Sequence, residues 1–176
     1  MARLNIYICS LIFLLFCPGI NLSGQLTTAS AEGDIFAEVI PVFSARETAQ
    51  MNFGRFSPGP QGGEIILTPE STIFTLGSVF KGPGTHNAAS FYVSGDVDAS
   101  YSINLPDEPV VITNISNAKT MMVDNWMSIP SSGVGTGLLQ NGFQVVYVGA
   151  TLKVGTLNDN PVGIYKGSYT VTFYFN

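Results

Sequence analysis

The side chains that could do chemistry in this chain are few, and none of them gathers into a reactive group. Its one histidine, His86, lies in the glycine-rich stretch KGPGTHN, where no nucleophile or metal-binding partner accompanies it. A solvated loop histidine is the plainer reading. Asp96 and Asp98 flank Val97 beside Gly95, a spacing at which two carboxylates can share a hard cation. They lack the ligand series of a calcium loop and read first as an acidic turn. Asn158-Asp159-Asn160 reads the same way. Met121, Met122, Trp126 and Met127 concentrate large soft side chains that suit a ligand pocket, though such a group more often fills a core. Asn114-Ile115-Ser116 satisfies the glycosylation triplet. Both cysteines, Cys9 and Cys17, fall in the N-terminal apolar segment. A chain cleaved after that segment has no cysteine and one histidine, too few for a Cys- or His-rich zinc site. The expectation is no catalytic residue, no cofactor and no metal.

Strands must position whatever function remains. The clearest pattern is the last stretch, GIYKGSYTVTFYFN, from Gly163 to Asn176. Tyr165, Gly167, Tyr169, Val171, Phe173 and Phe175 alternate with Lys166, Ser168, Thr170, Thr172, Tyr174 and Asn176. Successive side chains of a strand point to opposite faces, so this predicts one apolar, aromatic face and one wettable face. Phe143 to Val154 likewise puts Val146, Val148, Ala150, Leu152 and Val154 on one face. Glu64–Thr68 and Thr72–Leu76 flank Pro69-Glu70-Ser71 and predict a hairpin. Ala89–Val93 and Ala99–Leu105, joined by Gly95-Asp96-Val97-Asp98, predict a second hairpin. Short runs at PVVIT and KTMMVDNW follow Pro106, and residues 57–63 and 129–141 read as loops. Ile35 to Phe43 is the first strand expected, with Pro41 marking an edge or bulge. No dozen residues carry helical apolar spacing. The fold expected is all-β: an immunoglobulin-like, pilin-like antiparallel sandwich with no substantial helix.

At the N-terminus, Arg3 and the uncharged apolar run Ile6–Phe16 fit a secretory signal, too short to span a bilayer. The expected organisation is a signal over residues 1–24, with cleavage as late as 31. A flexible lead-in over 25–34 and a single domain over 35–176 follow. No membrane span should remain, and the chain is expected in the periplasm, at the cell surface or outside the cell. Of seven Lys and Arg, Arg3 lies in the signal, which leaves an acidic domain against twelve Asp and Glu. With no basic run, nucleic acid is not an expected partner.

Met51-Asn52-Phe53-Gly54, GEIILTP (63–69), FYVSG and YSINLP within 89–106, Met122–Trp126, VGATLKV (148–154) and the closing GIYKGSYTVTFYF occur in order. Together they resemble the exported bacterial proteins of domain of unknown function family 4402, which carries no assigned activity. A looser resemblance is to chaperone-usher pilins and spore-coat-U-like subunits. Gly163 and Phe175 stand where those pilins have a glycine and an aromatic in their last strand. That resemblance implies an assembly strand comprising Gly163, Tyr165, Tyr169, Val171, Phe173 and Phe175, bound by a chaperone or completed by another subunit. Ile35, Ala37, Val39 and Phe43 are the corresponding edge or donor residues, free to pair in their own chain or another. The function expected is a non-catalytic structural or adhesive protein of the cell envelope or surface, or a pilus-like subunit assembled by strand addition. The alternative is a self-contained secreted binding module for a glycan or protein, using loops 57–63, 81–88 and 128–141.

Overall fold

The computed structural model describes residues 28–175, so the signal expected over 1–24, and both cysteines, lie outside the described residues. Residues from Glu38 onward form one compact unit. Residues 28–43 carry no strand or helix. The first strand is therefore not Ile35–Phe43 but β1, Ser44–Ala49. The reason lies in the two sequences. SARETA carries every backbone N–H a ladder needs, whereas Ile35–Phe43 is interrupted by Pro41, which has none.

Ten further strands follow: β2 Phe56–Leu67, β3 Ile73–Lys81, β4 Ala89–Ser94, β5 Ser100–Asn104 and β6 Val110–Asn114. Then come β7 Thr120–Ile129, β8 Gly133–Leu138, β9 Phe143–Val154, β10 Tyr165–Lys166 and β11 Thr172–Phe175. The only helical turn among the described residues is Gln140–Gly142. All pairings are antiparallel. The result is the all-β class expected, a sandwich-like arrangement whose larger sheet curls into a half-barrel.

Strand β9 is the hub of the larger sheet. One of its edges pairs with β7. Its other edge is shared, with β4 opposite Phe143–Val148 and β2 opposite Ala150–Val154. Gly149 marks the handover. A Cβ there would lie 2.2 Å from the Leu67 carbonyl oxygen, so only glycine lets the β2–β3 turn pass. Beyond β4 lies β1, beyond β2 lies β3, and beyond β7 lie β6 and β10. The smaller sheet is β11-β5-β8.

Two expected connections change. β4 and β5 form no hairpin: they belong to different sheets, with the Gly95–Asp98 turn as a corner held by Gly95 N–H to Gly142 O and Asp98 N–H to Leu139 O. Alternation in both runs buries Val93, Tyr101 and Ile103 in one shared core. The stretch 57–63 is not a loop but the bulged first half of β2, and 129–141 contains β8.

The core has two clusters. One gathers Val93, Tyr101, Ile103, Leu139, Val146 and Val148 between the two sheets. The other gathers Ile65, Val79, Met121, Val123, Leu152 and Val154 on the large sheet's inner face.

Candidate functional site

The terminal stretch is not one strand. β10 pairs with β6 in the large sheet, β11 pairs with β5 in the small one, and residues 167–171 cross between them without strand pairing. Its expected alternation holds as far as Phe173, while Phe175, expected on the apolar face, is 50% exposed. Tyr165, Tyr169, Val171 and Phe173 are half-buried, and Tyr165 packs on one core cluster while the other three pack on the second. Gly163 is needed where it stands, because a Cβ there would lie 2.3 Å from the Asn114 side-chain nitrogen.

Aromatic rings mark the crossing. Tyr169 lies over Trp126 with centroids 4.7 Å apart, and Phe91 meets both Tyr169 and Phe173 at 6.3 and 5.9 Å. Tyr101 follows at 6.0 Å from Phe173, then Phe43 at 5.9 Å, then Phe175 at 5.6 Å from Phe43. Phe43 thus packs within its own chain, unlike exposed Val39, and is no free donor knob. Trp126 reaches the crossing because a bulge at Asn125, whose φ is 49°, re-aims the strand between Asp124 and Met127. Burial, and more weakly the Glu47 carboxylate, raises the Tyr169 hydroxyl above the ordinary tyrosine range.

A cleft of about 990 Å³ opens beside this crossing. Its floor is the inner face of the large sheet, with Ile112, Met121, Val123 and Leu152. One bank is Gly163–Tyr169 and the other is Gln50–Pro58. The second bank is anchored by paired backbone bonds between Asn52 and Asn87, and by Asn87 Nδ2 donating to Gln50 O at 2.6 Å. Arg55 and Lys166 stand on opposite banks, with Glu47 nearby. Nothing in the sequence pattern had joined Gln50–Pro58 to the terminal stretch. A smaller depression of about 620 Å³, lined by Asp107, Glu108, Asp124 and Trp126, lies at the β5–β6 connection.

The remaining reactive residues sit apart. His86 is half-buried beside Gly54, in the loop carrying Asn87. Asp96 accepts from Val97 N–H and Asp98 is exposed with φ 58°, so this pair is a turn. Asp159 accepts from the Thr156 backbone and hydroxyl, which hold its carboxyl below the ordinary range. Asn160 is buried and bonds Gly155 N–H and Thr120 O. Asn114, the triplet's acceptor, is 1% exposed and accepts from Ser116 N–H, which leaves it inaccessible to a glycan. Strand alternation separates buried Met121 from exposed Met122. Among the described residues no three His, Cys, Asp or Glu side chains gather as a metal site, and no helix is long and apolar enough to cross a membrane.

An antiparallel β-sandwich with a cleft over half of its inner face, and no gathered reactive groups among the described residues, defines a fold class rather than an activity. The chain belongs to the domain of unknown function 4402 family, whose sequence profile matches residues 43–175. No curated protein and no solved structure shows a significant match.

Proposed function

We propose that this is a non-catalytic structural or adhesive protein exported to the cell envelope or surface, and that it assembles by strand addition into the cleft. One observation carries the reading. The cleft has an apolar floor, and its bank continues into residues 167–171, which have no strand partner. An added strand gains backbone hydrogen bonds from such a bank and side-chain pockets from such a floor. The occupant is Ile35–Val42 of a second copy. In this chain those residues pair with nothing as a strand, and Ile35, Val39 and Val42 are more than four-fifths exposed. Their one charge, Glu38, suits a cleft flanked by Arg55 and Lys166.

The test is assembly of purified protein lacking residues 1–24, followed by native electrophoresis and mass photometry. Concentration-dependent ladders are expected, lost on deleting residues 28–42 or on Val39→Arg, with the melting temperature of the monomer unchanged. Monomer alone at every concentration, with or without the segment, sinks the assembly reading.

A further inference from the structure

We propose that the outer face of β1, β4 and β9 binds an anionic polysaccharide chain. This surface is separate from the cleft and holds whether or not the cleft takes a strand. It is built from three cross-strand rows. Ser44 stands opposite Ser94, which stands opposite Phe143; Arg46 stands opposite Tyr92, which stands opposite Val145; Ser90 stands opposite Tyr147, which stands opposite Ile129. Phe143 at the start of β9, Tyr147 within it and Ile129 at the end of β7 are each 44–45% exposed and adjoin one another as one apolar patch.

The rings are preset. Tyr92 and Phe143 lie 16° from parallel with centroids 5.6 Å apart, and the Arg46 guanidinium sits 5.1 Å from the Tyr92 ring centre. Hydroxyls border the rings: Ser44 and Ser94, 3.0 Å apart, and exposed Thr48, which bonds buried Ser90 at 2.7 Å. Flat apolar rings edged by hydroxyls match a sugar ring, which has C–H faces and a hydroxyl rim. Arg46 is the only charged side chain in these rows, and no carboxylate shares them. In a chain of net charge −5, that one cation on an aromatic floor selects an anionic ligand.

Size argues against a protein partner. The part-exposed rings offer on the order of 300 Å². A stable protein interface takes about 800 Å² from each side. A repeating polymer instead adds many weak contacts along one chain, across many copies of the protein.

The test is affinity electrophoresis of the exported chain in gels containing polygalacturonate, dextran sulfate or neutral dextran. Retardation is expected in the first, the second or both anionic gels and not in neutral dextran, which also tells carboxylate from sulfate recognition. Arg46→Gln and Tyr147→Ser should each weaken retardation about tenfold, equivalent to about 1.4 kcal/mol, with circular dichroism and melting unchanged. The surface is refuted by equal mobility in all three gels, by retardation in neutral dextran as strong as in the anionic gels, or by anionic retardation that survives Tyr147→Ser. The last result would mean charge attraction alone.

Discussion

The inner face of the large sheet is one surface with two different covers. Beside β4 it meets the small sheet, and Tyr101, Ile103 and Leu139 close on Val146 and Val148 with at most 1% exposure. Beside β2 and β6 the same strands meet only the Gln50–Pro58 bank and the terminal crossing, and a cleft of about 990 Å³ remains. Strand β9 contributes to both halves with one unbroken pattern, Val146, Val148, Ala150, Leu152 and Val154. A strand's own sequence therefore sets which face is apolar. What lies opposite decides whether that face is closed or left accessible.

Substitutions should report this difference. The largest effect is expected at Gly137→Val in β8, where a Cβ would lie 2.3 Å from the Tyr101 ring. Gly137 and Tyr101 are paired neighbours in the small sheet, so the ring must leave its place in the core, and denaturant unfolding should show a loss of about 3 kcal/mol. Matched truncations come next. Ile103→Ala in the closed half should cost about 2 kcal/mol, because a cavity remains between two sheets. Ile112→Ala, half-buried at the cleft floor, should cost about 1 kcal/mol. Equal losses would mean that the cleft half is packed as tightly as the other, and the comparison would fail.

A pH-dependent effect is expected in alkali. Tyr101 is fully buried and its hydroxyl donates to Gln144 Oε1 at 2.7 Å; burial pushes its pKa up to about 12 from the ordinary 10.0. The folded value is the higher one, so this contribution to stability is complete below pH 10 and is lost as pH rises from there towards 12. Phenolate absorbance with unfolding monitored in parallel checks it. Titration of Tyr101 near pH 10 while the chain stays folded would show that water reaches the closed half.

Much of the fold was legible because alternation survives in most strands. β9, the β2–β3 hairpin and the inward face of the terminal stretch follow from residue type alone. The errors have physical causes. Glycine reads as loop, yet in β8 Gly137 is a strand residue kept small by the Tyr101 ring. Pro58 and Gly59 hid the bulged start of β2. The β4–β5 corner looked like a hairpin because local alternation does not say which sheet a strand joins. The terminal stretch was legible as an apolar face but not as a bridge, since its two halves are told apart only by partners distant in sequence. The same limit hid the Gln50–Pro58 bank and the outer-face rows, which exist only once registers are known.

The terminal crossing also governs how quickly the molecule can take shape. β10 pairs Tyr165 with Asn114, and β11 pairs Phe173 with Ile103. Each contact closes a long stretch of chain before any local reward is gained. Folds dominated by such pairings form in about milliseconds to seconds rather than microseconds. Until Phe173 and Tyr169 dock, β5 lacks its β11 partner and Trp126 lacks the ring that lies over it. Closing the crossing costs more chain entropy than forming the local β2–β3 hairpin.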